Sequence, residues 1–104
     1  MIDLTSKQRK YLEKEAQPLS PLVLIGGAGL TDEQIKQITT VLKDHELIKV
    51  KFNEYKDEKK ELSSSIASQT DSILVRIIGN VATFYRQSDN PETRKYAKGL
   101  AKAK

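Results

Sequence analysis

The chain has no cysteine among its 104 residues. That absence excludes a disulfide framework and thiol nucleophiles, and it fits a reducing compartment. Long apolar runs are missing as well. The runs near Leu22, Leu47 and Ile73 all fall well short of the roughly 20 residues that span a bilayer, and the N-terminus lacks a signal-peptide pattern. We therefore expect a cytoplasmic protein that makes no membrane contact.

Side chains for catalysis and metal binding are scarce. His45 is the single histidine, and no pair of potential ligands has the spacing of a metal site. Asp44, His45 and Glu46 are adjacent, but they do not form a triad because triad partners converge through the fold. We predict no enzyme activity and no cofactor.

The positive charge is concentrated at one end of the chain. The net charge is +4, from 18 Lys/Arg against 14 Asp/Glu. Residues 1–85 carry 12 of each sign, whereas residues 86–104 carry 6 and 2. We predict one small domain over residues 1–87. Residues 88–104 form a basic tail that is expected to be partly helical around residues 91–98 or disordered.

A glycine-rich segment follows a short apolar one. Residues 22–25 are expected to form a strand, and residues 26–29 read G-x-x-G. Thr31 and Gln34 have the spacing of a capping box, so a helix is predicted to begin there. G-x-x-G is the loop that some RNA-binding modules press against a nucleic-acid backbone. Because glycines have no Cβ atom, a phosphate can approach the N–H groups of the first helical turn.

The motif alone leaves two interpretations open. A glycine-rich turn between a strand and a helix is often only a tight connection. Asp32 and Glu33 favour the helix start through its dipole, yet the same carboxylates would repel an incoming phosphate. A nucleotide P-loop is excluded, because the last glycine is followed by Leu30 and Thr31 instead of Lys-Ser/Thr.

Periodicity predicts the remaining elements. Helices are expected from Thr5, which has capping-box spacing with Gln8, to about residue 17, and over residues 32–45 and 57–70. Strands are expected over residues 22–25, 48–52, 73–78 and 81–85, and the last two are predicted to form a hairpin with a two-residue loop at Gly79-Asn80. In the second strand, Lys49 and Lys51 alternate with apolar residues, so they either bridge phosphates or lie on an ordinary wet sheet face. The order α-β-α-β-α-β-β predicts an α/β fold with a small mixed four-stranded sheet.

Four segments together resemble one family. They are residues 4–9, residues 21–31 with the G-x-x-G loop, residues 45–51, and residues 78–86. In this order and spacing they resemble the YhbY-like bacterial RNA-binding proteins, over roughly residues 2–87. Those proteins are the single-domain members of the CRM (chloroplast RNA splicing and ribosome maturation) group.

The resemblance implies a fold similar to the C-terminal domain of bacterial translation initiation factor three. It also implies binding of structured RNA, with ribosomal RNA in precursors of the large subunit as the expected target of an assembly or maturation factor. Separately, we expect a monomer. One departure concerns the loop: family members often have a basic or polar residue between the glycines, whereas this chain has Gly27-Ala28. More of the affinity is then expected to come from the lysine strand and the first helix.

The candidate RNA contacts lie on the loop, the helix start, the first helix and two strands. They are Gly26, Gly27, Ala28, Gly29, Thr31, Lys7, Arg9, Lys10, Lys49, Lys51, Tyr85 and Arg86. Tyr85 or Phe84 would stack a base if its ring faced outward, although Phe84 is expected in the core. The alternative function is a protein interaction module that docks on the ribosome or a partner factor, with the tail as an electrostatic aid. The salt dependence of binding separates the two.

Overall fold

The computed structural model describes residues 3–104. Residues 1 and 2, which the predicted 1–87 domain includes, lie outside the described residues. The elements are α1 (Ser6–Ala16), β1 (Val23–Ile25), α2 (Asp32–His45), β2 (Leu47–Phe52), α3 (Lys59–Thr70), β3 (Ile73–Ile78), β4 (Val81–Tyr85) and α4 (Ala97–Lys102), with 3-10 turns at Lys56–Glu58 and Pro91–Thr93. The predicted α/β class and the order α-β-α-β-α-β-β are confirmed.

The four strands form one mixed sheet in the order β1-β2-β4-β3. β1 is parallel to β2, while β4 is antiparallel to both of its neighbours. Helices α2 and α3 are therefore crossovers between strands that run in the same direction. The predicted hairpin between β3 and β4 is present, and Gly79 in its two-residue turn has a positive φ of 58°, as such turns require.

The helix starts confirm one predicted capping box and half of the other. The Thr5 hydroxyl accepts from the Gln8 N–H, and the Gln8 amide oxygen accepts from the Thr5 N–H. At α2 the Thr31 hydroxyl accepts from the Gln34 N–H at 3.1 Å. The Gln34 amide, however, donates to the carbonyl of Leu24 at 3.3 Å. Since β1 is an edge strand, its backbone competes for this side chain, and the second capping box is incomplete.

Helix α3 begins slightly later than predicted. Asp57, the expected first residue, lies in the 3-10 turn Lys56–Glu58. The residue before this turn, Tyr55, has a left-handed backbone conformation with φ 57° and ψ 37°. The chain thus turns sharply after β2, and α-helical geometry starts only at Lys59.

Two apolar clusters lie on opposite faces of the sheet. The larger is formed by the sheet with α2 and α3, and contains Val23, Ile25, Ile38, Leu42, Ile48, Val50, Phe52, Ile66, Ala82 and Phe84. The smaller lies under α1 and α4, and contains Leu12, Ala16, Leu47, Val75, Tyr85 and Leu100. Because α1 contacts only part of the second face, the rest of that face is open to solvent.

Candidate nucleic-acid interface

The G-x-x-G segment forms a closed turn between β1 and α2. The Gly29 N–H donates to the carbonyl of Gly26 at 3.0 Å. Gly29 has a φ of +73°, in the left-handed region that favours glycine. The backbone conformation of the turn therefore explains the second glycine of the motif.

Gly26 and Gly27 have no comparable structural requirement. Neither has a positive φ, and a Cβ built on either would meet nothing within 4 Å. Gly27 and the neighbouring Ala28 are exposed. The two glycines leave a stretch of bare backbone on the surface, where a ligand can approach the N–H groups closely.

Tyr55, which follows the end of β2, packs against this loop. Its hydroxyl donates to the carbonyl of Gly27 at 2.9 Å. A Cβ built on Gly29 would lie 3.4 Å from the Tyr55 ring. The sequence interpretation missed this residue, although it is the one aromatic side chain in the polar segment of residues 53–61.

The start of α2 combines a capping hydroxyl with two carboxylates that would repel phosphate. The Thr31 hydroxyl is occupied as the helix cap. Asp32 and Glu33 in the first turn are exposed. Since carboxylates repel phosphate, an anion would reach the loop from the side of the sheet, where Lys51 lies beside Leu24 in the register of β1 and β2.

The open sheet face begins directly at this loop. Leu24, Lys51, Val81 and Ile78 lie side by side across all four strands. Leu24 is 53% exposed and Ile78 64% exposed, and Lys51 is also exposed. Directly opposed residues of a sheet project from the same face, so this row is a solvent-facing surface of mixed apolar and basic character.

The next row along the strands carries two more cations. Lys49 lies opposite Thr83, which lies opposite Arg76. The Lys49 ammonium contacts the carbonyl of Gln17 at 3.4 Å, at the end of α1. Arg76 forms an exposed ion pair with Glu13 at 3.1 Å. The sequence interpretation did not include Arg76 among the candidate contacts, although the alternation within β3 contains it.

Helix α1 packs on the same face and carries two exposed lysines in its first half. Lys7 and Lys10 are exposed. Arg9 is half-buried, and its Nη1 donates to the carbonyls of Leu74 and Val75 at 2.7 and 2.8 Å, where β3 is irregular. Arg9 therefore holds the first half of α1 against β3, and Lys7 and Lys10 of the same half project into solvent. Lys49 lies at the other end of the helix, beside Gln17.

The stacking role considered for Tyr85 is wrong, whereas the expectation that Phe84 lies in the core is confirmed. Both rings are 0% exposed. Tyr85 lies opposite Leu47, at the end of the sheet that α1 covers, and it contacts the Tyr96 ring edge-to-face with centroids 6.2 Å apart. Burial, followed by the nearby Glu46 carboxylate, raises the pKa of Tyr85 to about 12.

Arg86 lies far from the glycine loop. It follows β4 and donates its N–H to the carbonyl of Glu46, just before β2 begins. The loop extends from the other end of the sheet, where Ile25 lies opposite Phe52. At about 3.4 Å per residue, β2 separates these ends by about 17 Å. The structure thus places Lys51 beside the loop and Lys49 in the next row. Arg86 lies at the opposite end of β2, and Lys7 and Lys10 lie on the half of α1 that contacts β3.

Over residues 3–104, no group of three His, Cys, Asp or Glu side chains is arranged to hold a metal ion. In the same part of the chain, every helix is too short or too polar to cross a membrane.

Comparison with known proteins identifies the matching family. A model of the CRS1/YhbY (CRM) domain matches residues 4–86. An RNA-binding protein of Haemophilus influenzae is 38% identical over 90 residues, which cover 86% of this chain and 91% of that protein. The Probable RNA-binding protein YqeI of Bacillus subtilis is 35% identical over 86 residues, covering 82% of this chain and 90% of that protein.

The fold also matches a solved structure. The solution structure of a hypothetical protein from Staphylococcus aureus is 38% identical in sequence and has a TM-score of 0.74. The match covers 89% of this chain and 98% of that one.

Proposed function

This chain belongs to the CRS1/YhbY (CRM) domain family, and from that membership we propose that it binds RNA through the glycine loop and the open sheet face. The Haemophilus influenzae relative bears the name RNA-binding protein, and the Bacillus subtilis relative the name Probable RNA-binding protein YqeI. The candidate contacts on this chain are the turn of residues 26–29, the start of α2 at Thr31, the exposed lysines Lys7, Lys10 and Lys51, and the half-buried Lys49.

The observation that carries this proposal is the state of Gly26 and Gly27. Neither backbone strain nor packing within the protein explains a glycine at these two positions. Close approach of a ligand to the backbone does explain them. A phosphate is the ligand that best fits backbone N–H groups at a helix start.

The charges beside the loop support a path for the RNA backbone. Lys51 and Lys49 follow the loop along the open face, and Lys49 contacts the end of α1 at Gln17. Lys7 and Lys10 are exposed in the first half of the same helix. Asp32 and Glu33 repel phosphate on the other side of the turn. Because the loop itself carries no cation, these four lysines supply the attraction between the protein and successive phosphates.

As the target we propose structured ribosomal RNA in precursors of the large subunit, bound by a monomer in the cytoplasm during assembly or maturation. The resemblance drawn from the sequence supports this target. The protein then acts as a binding factor and not as an enzyme. We further propose that RNA binding is the work of residues 1–87, on which α4 of the tail packs, and that the lysines of the tail contribute a nonspecific attraction.

The test is binding to ribosomal RNA fragments across a salt series. Lys49→Ala/Lys51→Ala should weaken binding and lower the log–log salt slope by about one for each lost phosphate contact. Gly27→Asp/Ala28→Asp should weaken binding roughly tenfold or more, because two carboxylates then face the phosphate. The matched control is Lys36→Ala/Lys43→Ala, which removes two exposed lysines from α2 on the other side of the sheet.

A third variant tests the tail without disturbing the fold. Truncation after residue 86 would remove α4, which packs on α1, so Lys98→Gln/Lys102→Gln/Lys104→Gln is the better choice. We expect this variant to soften binding only slightly. If it abolishes binding while the loop and strand variants leave binding unchanged, the tail alone holds RNA and the proposed site is wrong.

One observation favours the second candidate function, docking on a protein. Leu24, Val81 and Ile78 form an apolar row around Lys51 on the open face. An interface built on this row would be insensitive to salt. Leu24→Ser/Ile78→Ser would then abolish ribosome association, whereas RNA binding through phosphates should tolerate the change.

A further inference from the structure

We propose that Tyr55 is a stacking platform for one unpaired base of the RNA whose phosphate lies on the turn of residues 26–29. This inference rests on the proposed function. It adds a ligand class to that function: the bound segment must contain at least one unstacked nucleotide next to the phosphate that the loop receives. A fully paired helix does not offer such a base.

Tyr55 is the aromatic residue available for this role. Its exposed fraction is 43%. The chain has four tyrosines, two phenylalanines and no tryptophan, and all of these positions lie within the described residues. The other five aromatic side chains are buried or half-buried, so Tyr55 is the one exposed aromatic residue of the chain.

The ring is fixed relative to the loop. Its hydroxyl donates to the carbonyl of Gly27 at 2.9 Å, and a ring edge lies against Gly29. The hydroxyl and one ring edge thus contact the loop, and the solvent-exposed area of Tyr55 lies on its other atoms. A ring that is already ordered loses little conformational entropy when a base stacks on it.

The backbone at Tyr55 also favours a role beyond packing. Its φ of 57° and ψ of 37° lie in the left-handed region, where a bulky side chain is a genuine outlier. The ring is not a member of either apolar cluster, so burial does not compensate for this conformation. Strained residues of this kind concentrate where a side chain must be held for a ligand.

The charges around Tyr55 orient the nucleotide. Gly27 and Tyr55 line a cleft of about 760 Å³ together with Glu54, Lys56, Asp57 and Glu58. Three carboxylates outnumber the one ammonium, so the net negative charge of the cleft disfavours phosphate, whereas the lysine side of the loop attracts it. The sugar-phosphate backbone therefore runs over the lysines, and the uncharged base turns toward the ring.

Two variants separate the ring from its hydroxyl. Tyr55→Phe removes the bond to Gly27 and keeps the ring, and should bind within about threefold of the wild type because a single neutral hydrogen bond is lost. Tyr55→Asn removes both, and asparagine tolerates the left-handed backbone. It should lose about 5- to 150-fold in affinity, since one base–aromatic stack contributes about 1–3 kcal/mol. Thermal unfolding of both variants verifies that each is folded.

Three RNA probes of equal length make the test specific for an unpaired base: a single strand, a hairpin with an open loop, and a blunt duplex. The loss in Tyr55→Asn is expected on the first two and not on the duplex. Tyr55→Trp gives a direct readout, because it introduces the chain's only tryptophan, whose fluorescence a stacked base should quench.

The outcomes distinguish the two proposals. If Tyr55→Asn binds all three RNAs as the wild type does, while Gly27→Asp/Ala28→Asp loses binding, stacking is wrong and the loop remains the RNA site. An equal loss in Tyr55→Phe and Tyr55→Asn also overturns stacking, because the hydroxyl tether then accounts for the effect. If the wild type binds none of the probes in a salt-dependent manner, both proposals fail.

Discussion

The two ends of α2 differ in how their polar groups are used. At the N-terminal end, the turn of residues 26–29 leaves exposed backbone at Gly27 and Ala28. At the C-terminal end, Glu46 is 2% exposed and has a positive φ of 63°. Its two carboxylate oxygens accept from the backbone N–H groups of Ser88 and Lys95, each at 2.5 Å.

This difference separates stability from binding. We call the C-terminal end of α2, at Glu46, the closed end, and the N-terminal end, at residues 26–29, the open end. At the closed end, the hydrogen bonds of the Glu46 carboxylate attach the segment after β4 to the end of α2. A second bond joins α1 to α4, because the Gln8 amide donates to the carbonyl of Leu100 at 3.0 Å. At the open end, backbone groups are left accessible to a ligand. Substitutions at the two ends should therefore affect different measurements.

The largest effect is expected for Glu46→Ala. It leaves two N–H groups without their acceptor, and hydrogen bonds to a charged group contribute about 1.5–3 kcal/mol each. Allowing for water that replaces part of the loss, we expect the free energy of unfolding to fall by about 3 kcal/mol. Equilibrium denaturation in urea measures this change.

The matched control for Glu46→Ala is Glu54→Ala, which removes an exposed carboxylate. Its effect on the free energy of unfolding should stay within about 0.5 kcal/mol. If the Glu46 variant loses no more than this control, the closed end does not stabilise the fold and the contrast between the two ends disappears.

A smaller effect should distinguish the glycines within the open end itself. Gly29→Ala places a Cβ at a φ of +73° and 3.4 Å from the Tyr55 ring, and a left-handed backbone costs a non-glycine residue about 1–2 kcal/mol. Gly27→Ala meets nothing within 4 Å and should change the free energy of unfolding by less than about 0.5 kcal/mol. Thermal or urea unfolding of both variants measures the difference.

Equal destabilisation by the two alanines would show that Gly27 also serves the fold. In that case the glycine would no longer be evidence for a ligand, and the main support for the proposed RNA site would be lost.

The sequence correctly predicted features that depend on neighbouring residues: a helix cap, the alternation of a strand and a hairpin turn. The Thr5–Gln8 capping box and the alternation that places Lys49 and Lys51 on one face both depend on residues a few positions apart. The Gly79-Asn80 turn was predictable for the same reason. These elements were sufficient for the fold class and for the lysine strand of the candidate site.

The errors and omissions concern contacts between residues distant in sequence. Arg9 was interpreted as a free cation, but it binds carbonyls about 65 positions away, in β3. Tyr85 was a candidate for stacking because no sequence pattern shows that α1 and α4 cover that end of the sheet. Tyr55 was overlooked because its bond to Gly27 spans 28 residues. Periodicity identifies the face on which a side chain lies, but not what packs over it.

The smallest effect at neutral pH is expected for the Tyr85 hydroxyl, a buried polar group near the C-terminal end of α2 that, unlike Glu46, makes no hydrogen bond among the described residues. Tyr85→Phe removes this hydroxyl and should be neutral or stabilising by at most about 1 kcal/mol. A loss of more than about 1 kcal/mol would contradict this, and would indicate that the hydroxyl is satisfied by a buried water.

The same variant should differ from the wild type in alkaline solution. The pKa of Tyr85 is raised by burial and by Glu46 from about 10 to about 12. Between these values the unfolded chain loses the phenolic proton while the folded protein retains it, so wild-type stability is complete below pH 10 and falls as the pH rises toward 12. Burial also raises the pKa values of Tyr11 and Tyr96, so Tyr85→Phe should reduce this fall without abolishing it. Urea unfolding at pH 7, 10 and 11 measures the difference, and an identical decline in both proteins would show that Tyr85 ionises as easily in the folded chain as in the unfolded one.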